Sequence, residues 1–273
     1  MSPEAATPRP GAYRTVPVGP FRLLDLDKTA LVSAIADTAV ADHGSKPTLA
    51  FACHVGGLNL RSDREFVGAM QRADLAYADG VSVIALMKLA GATAVERHPT
   101  TDLGWETFVA LHERLGRPVR VVLLGGPEGL AERAGAVMAA EEHIDIVHTE
   151  HGYHSDWTPV LDRLADIEYD VLVVGLGMPA EALWAARHVD RLPNALVLTC
   201  GGWFGYIVGE EKRAPEWMRK SGLEWVARIA QSPGRLWKRY ATGALSTAAM
   251  VPTALRGRRA EGRAIQPGPG QGF

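Results

Sequence analysis

The sequence has few cysteines and no long apolar run. Cys53 and Cys200 are its only cysteines, too few for a disulfide scaffold and without the spacing of zinc ligands. Residues 1–20 contain five prolines and no apolar segment, so we expect no signal peptide. The longest weakly polar run, residues 244–255, is short and contains Pro252, so we do not expect it to span a bilayer. These features favour a cytoplasmic protein and leave peripheral membrane contact open.

Two nucleotide-binding signatures are also missing. The chain has neither the G-x-G-x-x-G fingerprint of dinucleotide-binding folds nor the G-K-[ST] ending of a phosphate-binding loop, which argues against NAD enzymes and ATPases. The net charge of -2 argues against a protein devoted to nucleic acid. That charge is uneven, because residues 212–273 carry 12 Lys and Arg against 3 Glu. A basic end on an acidic body predicts an anionic partner such as a phosphate, a diphosphate or a lipid surface.

Compact apolar runs alternate with segments of helical period. The runs, typical of strands covered on both faces, are residues 48–53, 119–124, 144–147, 171–174 and 195–199. The helical segments are residues 28–41, 64–72, 82–89, 102–114, 130–141, 159–166 and 181–189, and residues 13–26 form a predicted hairpin. This alternation predicts an α/β fold with a Rossmann-like, mostly parallel sheet and helices on both faces. We expect a disordered start (1–12), an α/β core (13–211), a basic helical appendage (212–265) and a disordered end (266–273).

Three apolar runs end in glycine, at Gly125-Gly126, at Gly175 and Gly177, and at Gly201-Gly202. In open α/β sheets, ligands bind beyond the carboxyl ends of the strands. Glycines there let backbone N–H groups approach a phosphate, although glycine is also an ordinary connector between a strand and a helix. Three such turns in one chain favour a ligand of the nucleotide type.

Two acidic sites, one residue and one pair, each have two interpretations. Asp79 follows a short apolar stretch, and it is either a general base that removes a proton from an attacking hydroxyl or the cap of the next helix. Asp25 and Asp27 have the D-x-D spacing with which many glycosyltransferases hold a divalent metal, but they also stand directly before a helix that Asp27 could cap.

Four histidines, His143, His148, His151 and His154, crowd one segment. The last three, spaced three apart, are the type of residue that binds a metal, but no Cys or carboxylate pattern supports a metal site there. We therefore expect surface polar residues rather than a metal centre.

The C-terminal part interleaves basic residues with tryptophans. Arg228, Arg235 and Arg239 would share one helical face, although Pro233 should interrupt that helix. Neighbouring guanidinium groups suit bidentate binding of a diphosphate, and a solvated basic face is the alternative. Trp217, Trp225 and Trp237 suit either packing or a membrane interface.

Read together, the motifs resemble the WecG/TagA/CpsF family of bacterial glycosyltransferases. The resemblance covers residues 48–239, and its motifs follow one another along the chain in the order of the family. The matching stretches are Asp63-Arg-Glu-Phe66, Ala73-Asp-Leu75 with Asp79-Gly80, Glu96-Arg97 with Asp102-Leu103, Leu123-Leu-Gly-Gly126, Gly152-Tyr153, Gly175-Leu-Gly-Met-Pro179 with Trp184, Gly201-Gly-x-Phe204, Gly209, Lys212-Arg-Ala-Pro215, Gly222-Leu-Glu-Trp225, Arg228, Pro233 and Arg235.

The resemblance implies an inverting, metal-independent transfer of a sugar from a nucleotide-sugar to a polyprenyl-diphosphate saccharide at the membrane. It also implies that the basic appendage closes over the site and holds the diphosphate. No cofactor and no metal ligand are predicted, and a homo-oligomer is left open. The predicted catalytic base is Asp79, with His54 as its substitute. The residues predicted to bind the donor are Gly125, Gly126, Gly177, Glu181, Gly201, Gly202 and Phe204. The residues predicted to bind the acceptor or its diphosphate are Thr100, Asp102, Arg213, Arg228, Arg235 and Lys238.

Several pocket positions depart from the family pattern. Phe51-Ala52-Cys53 and His54 stand where family members tend to have a Thr-Pro-Asn-type stretch, Glu181 replaces a Gln, Gly205 an Asp and Thr100 a Gly. The polar lining of the pocket is therefore changed, which favours a non-standard acceptor, for example in the biosynthesis of an antibiotic-type metabolite or of a cell-surface glycan. A soluble thiol acceptor is one alternative, because a thiol needs less help from a base than an alcohol. The other is a protein that binds nucleotide-sugars without catalysis.

Overall fold

A computed structural model describes residues 13–41, 46–215, 217–218, 224–231 and 233–264. The strands are β1 (Thr15–Val18), β2 (Phe21–Leu24), β3 (Thr48–Cys53), β4 (Leu75–Ala78), β5 (Val119–Gly125), β6 (Ile144–Glu150), β7 (Val171–Gly175) and β8 (Leu196–Thr199). The helices are α1 (Lys28–Val40), α2 (Val55–Asn59), α3 (Arg64–Gln71), α4 (Val81–Leu89), α5 (Thr100–Leu115), α6 (Leu130–Met138), α7 (Thr158–Asp166), α8 (Ala180–His188), α9 (Trp203–Ile207), α10 (Glu224–Gln231) and α11 (Pro233–Ala264).

Six strands form one parallel sheet in the order β4-β3-β8-β7-β5-β6. The chain moves from β3 to one edge of the sheet and from β5 to the other, and β7 and β8 later fill the gap between them. Because the strands are parallel, their carboxyl ends all lie at the same end of the sheet, and this is where α/β proteins bind ligands. The predicted α/β fold with a parallel sheet is confirmed.

Each strand alternates its side chains between two cores, one on each face of the sheet. Phe51 of β3 packs into one core with Phe66 and Trp184, from helices α3 and α8. Its neighbour Ala52 packs into the other core with Phe108 and Trp203, from α5 and α9. Because both faces are covered, the strands of the sheet other than the edge strand β6 contain apolar residues at nearly every position, as the sequence predicts.

The C-terminal helix α11 packs on the core rather than standing apart from it. Met250 and Ala254 are buried in the same core as Val18 and Phe21 of the hairpin β1-β2. The other side of α11 is exposed, for example at Leu245. The domain boundaries proposed from the sequence stay predictions, and residues 1–12 and 266–273 lie outside the described residues.

Some elements were not predicted. Strand β4 is buried along its whole length, and the short helices α2 and α9 follow β3 and β8 directly. The hairpin, the other five strands of the sheet and helices α1 and α3 to α8 lie where the sequence predicts them, to within a few residues at their ends. Helix α11 begins at Pro233, where the proline ring suits a first helical position.

The D-x-D pair has a structural role. The Asp27 carboxylate accepts a hydrogen bond from the backbone N–H of Ala30 at 2.8 Å and so caps α1. The fully buried Asp25 carboxylate accepts backbone N–H groups from Thr93, Ala94 and Val95 and an ion pair from Arg14. Although burial alone would raise the pKa of Asp25, these N–H groups and Arg14 hold it below its usual value.

Replacing Asp25 by Asn is expected to lower the free energy of unfolding by about 1–2 kcal/mol, because a neutral amide is a poorer acceptor for three N–H groups. The loss should shrink below pH 4, since the stability from a carboxyl with a lowered pKa is present above its unfolded value and lost as the pH falls. Urea unfolding at pH 7 and pH 3.5 measures both effects. The exposed Asp162→Asn, whose carboxylate pairs with Arg191, is the control. Equal stability of the Asp25 variant and the parent at pH 7 would contradict the structural role.

Candidate active site

A cavity of about 680 Å³ lies at the carboxyl ends of β3, β4 and β8, between the core and the C-terminal helices. His54 follows β3, Asp79 follows β4 and Gly202 follows β8, so three loops supply the floor. Its walls come from α10 and α11, from α2, α4 and α9, and from the segments around Arg97 and Glu210-Glu211. The full lining is His54, Val55, Asp79, Gly80, Val81, Ser82, Arg97, Gly202, Tyr206, Glu210, Glu211, Glu224, Trp225, Ile229, Trp237, Arg239, Tyr240, Ala241 and Ala244.

Asp79 lies at this cavity and precedes the cap position of α4. Gly80 occupies that position, with φ at +108°, a conformation that glycine adopts without strain. The backbone N–H of Asp79 donates to the carbonyl of Cys53 at 2.8 Å, which fixes the loop against the end of β3. The Asp79 side chain is half-buried. Of the two interpretations of Asp79, this placement favours the general base.

His54 and Arg239 meet in the same cavity. The His54 ring caps α2, because its Nδ1 accepts the backbone N–H of Gly56 at 2.9 Å. Nη2 of Arg239 lies 2.9 Å from both ring nitrogens of His54. A histidine whose Nδ1 is occupied by a helix cap and whose ring faces a guanidinium is poorly suited to remove a proton. These contacts argue against His54 as the substitute base.

Glu181 links two of the predicted glycine turns beneath the cavity. Its side chain is buried, and its Oε2 accepts the backbone N–H groups of Gly177 at 3.1 Å and Gly201 at 2.9 Å. Burial raises the pKa of Glu181 to about 7, against the opposing effects of these two N–H groups and of the Arg239 charge. The charge of Glu181 thus changes near neutral pH.

The ion pair of Arg97 with Glu224 connects the core to α10 at the cavity wall. Glu224 is buried, so the pair is largely removed from water. Next to it, the rings of Trp225 and Tyr240 lie 5.8 Å apart and bring α10 and α11 together. The sequence analysis placed Arg97, Glu224 and Trp225 within family motifs but did not predict them as site residues.

The predicted donor residues divide between two places. Gly202 lines the cavity described above, whereas Gly126 lines a second cavity of about 750 Å³ with Gly175, Tyr153 and Trp184. Gly125 has φ +145°, and a Cβ there would collide with the carbonyl of Gly175, so this glycine allows the ends of β5 and β7 to approach. The Phe204 ring is buried in the core against Gly175 and acts through packing.

The predicted acceptor residues are only partly brought together. Thr100 is buried, with its hydroxyl 2.9 Å from that of Tyr77, and Asp102 pairs with Arg213 through two hydrogen bonds of 2.6 and 3.1 Å. Lys238 is exposed on α11, and the next residue, Arg239, is the one that lines the cavity. The side chains of Arg228 and Arg235 lie outside the described residues.

The histidine cluster surrounds a carboxylate. Among the described residues, Glu150, His151 and His154 are the one group whose ligand atoms lie close enough to share a metal ion. Glu150 already pairs with Arg163, and Nε2 of His154 lies 3.2 Å from it. Nδ1 of His151 accepts the backbone N–H of Tyr153. Since Glu150, Nε2 of His154 and Nδ1 of His151 already have these partners, we assign no metal site here.

Residues 16–261 match the family described as "Glycosyl transferase WecG/TagA/CpsF family". The chain belongs to this family of glycosyltransferases. It is therefore an enzyme that transfers a glycosyl group, as the sequence predicts.

A curated relative gives one example of the family's chemistry. The present chain is 25% identical to a protein from Bacillus spizizenii W23 over 252 residues. The matched region covers 92% of the present chain and 94% of the relative. The relative is named N-acetylglucosaminyldiphosphoundecaprenol N-acetyl-beta-D-mannosaminyltransferase. The described part of the present chain contains no helix with the length and hydropathy that a membrane crossing needs.

Proposed function

We propose that this glycosyltransferase moves a sugar from a nucleotide-sugar to a saccharide carried on a polyprenyl diphosphate, with inversion and without a metal cofactor. The observation that carries the proposal is the cavity that holds Asp79 from the core and Arg239 from α11. A carboxylate and a guanidinium in one cavity suit a reaction that needs both a base and a partner for phosphate oxygens. The lipid-linked acceptor named for the relative supports the choice of acceptor.

In the proposed reaction, Asp79 removes the proton of an acceptor hydroxyl as its oxygen attacks the anomeric carbon of the donor. The new C–O bond forms on the face opposite the leaving group, so the configuration inverts, and the bond from the sugar to the nucleoside diphosphate breaks. Arg239 would stabilise the negative charge that develops on the diphosphate. The cavity would align donor and acceptor.

The second candidate is transfer to a soluble acceptor, such as an antibiotic-type metabolite or a small thiol. It is favoured by the end of β3, where Ala52 and Cys53 are buried and His54 is the polar side chain that reaches the cavity. A cavity lined in this way differs from that of the family pattern, and a thiol would make less demand on a base.

Titration calorimetry with UDP-, GDP- and TDP-sugars tests the donor, and we expect one of these classes to bind. Transfer to a polyprenyl-diphosphate N-acetylglucosamine in detergent should then be measurable, and EDTA should leave the rate unchanged. Turnover of soluble alcohols or thiols, but not of the lipid, would support the second candidate. The absence of binding by any nucleotide-sugar would contradict both, and binding without transfer or hydrolysis would indicate a protein that only binds the donor.

A further inference from the structure

The contact between α2 and α11 depends on a glycine. A Cβ at Gly243 of α11 would collide with Cγ2 of Val55, the first residue of α2. Valine is β-branched and has little rotational freedom with which to yield. Gly243 is itself buried, so the two helices approach at this point as closely as their backbones and Val55 permit.

Side-chain hydrogen bonds on both sides of Gly243 fix how α11 lies on the core. Nδ2 of Asn59 donates to the carbonyl of Arg239 and to Oγ1 of Thr242, each at 3.0 Å. Nη1 of Arg61 donates to Oγ of the buried Ser246 at 2.9 Å. Because these partners are about one turn apart along α11, they set both its rotation and its position along its own axis.

This arrangement places one guanidinium in the cavity. Arg239 lies one turn before Gly243, and its Nη2 reaches His54 at 2.9 Å. The space it occupies exists because residue 56 is also a glycine, whose Cβ would stand 2.7 Å from Nη2. The positive charge of Arg239 acts on Glu181 beneath the cavity as well.

We propose that Gly243 is a positioning residue, whose missing side chain lets α11 approach α2 and thereby holds the guanidinium of Arg239 against His54, where it binds diphosphate oxygens. The role in turnover rests on the proposed function, whereas the role in anion binding does not. Both the nucleotide-sugar and the lipid-linked acceptor contain a diphosphate, so inorganic pyrophosphate is a probe for the chemistry they share.

The test compares Gly243→Ala with Gly234→Ala on the same helix. A Cβ at Gly234 meets no described atom within 4 Å, so both variants carry the same Gly→Ala change on α11 but only the first disturbs the contact with α2. We expect Gly243→Ala to weaken pyrophosphate binding, measured by calorimetry, and to raise the donor KM, each about tenfold, with a smaller change in kcat. Gly234→Ala should leave these values at those of the parent. Thermal unfolding confirms that both variants are folded.

A double-mutant cycle separates positioning from a general loss of structure. In the Arg239→Ala background, Gly243→Ala should weaken pyrophosphate binding no further, because the group that it displaces is already absent. A Gly243→Ala variant that binds as the parent does, an additive loss in the double variant, or a parent that does not bind pyrophosphate would each overturn the proposal. If Gly243→Ala weakens pyrophosphate binding in the parent but not in the Arg239→Ala background, and no acceptor is glycosylated, the positioning role is upheld and the proposed function is rejected.

Discussion

Replacing Asp79 by Asn is expected to lower kcat by about 10²–10⁴, the range that a positioned general base contributes. The amide keeps the size of the carboxylate and cannot take a proton from the acceptor. Because Asp79 stands before the cap position of α4 rather than in it, the change should leave α4 intact. Donor binding should change little, so the effect should appear in kcat and kcat/KM rather than in the donor Kd.

Single-turnover transfer assays, together with calorimetry of donor binding, measure this expectation. The exposed Asp162→Asn is again a matched control, since it makes the same chemical change away from the cavity. Turnover by Asp79→Asn at the rate of the parent would remove Asp79 from the mechanism. A loss of kcat accompanied by a lower melting temperature would instead assign Asp79 a structural role.

Replacing Glu181 by Gln is expected to stabilise the protein above neutral pH by about 1–3 kcal/mol. Burial raises the pKa of Glu181 to about 7, so between its unfolded value and pH 7 the folded protein keeps a proton that the unfolded chain releases. This group therefore lowers stability as the pH rises through that interval, and the full loss is present above pH 7. Glutamine can accept the same two N–H groups through its oxygen and carries no charge.

Urea unfolding at pH 5 and pH 8 tests the sign of this effect. Parent and Glu181→Gln should be similar at pH 5, where Glu181 is protonated in the folded state, and the variant should be more stable at pH 8. Glu168→Gln is the control, because that carboxylate is largely exposed, with 89% of its side chain accessible. A difference between parent and Glu181→Gln that does not grow from pH 5 to pH 8 would contradict a raised pKa.

The sequence predicted those strands and helices whose apolar pattern and capping residue lie within one short stretch of the chain. Strand β3 is a continuous apolar run and α1 has an apolar face with Asp27 as its cap, and both lie within a residue of their predicted bounds. Strand β4 was missed because it has only four residues between two aspartates. Helix α2, with the sequence VGGLN, has a low helix propensity and is held by the His54 cap and by its contacts with α11.

The site could be predicted only in part, because its members come from distant parts of the chain. His54, Asp79 and Gly202 follow three strands of the sheet, and the rule that ligands bind at carboxyl ends places them together. The helical period grouped Arg239 with Arg228 and Arg235, whereas the family resemblance indicated Lys238 as the anion-binding residue. The packing of α11 on α2 shows that Arg239 is the one that faces the cavity. Likewise, nothing local shows that Asp102 and Arg213 pair with each other.

The burial of Met250 and Ala254 beside the hairpin has a consequence for how the protein is made. Val18 and Phe21 are synthesised more than two hundred residues before Met250 and Ala254, which complete their core. During translation, the apolar face of the hairpin therefore stays incompletely covered until α11 has left the ribosome. The core beside the hairpin therefore reaches its native packing only after α11 has been synthesised.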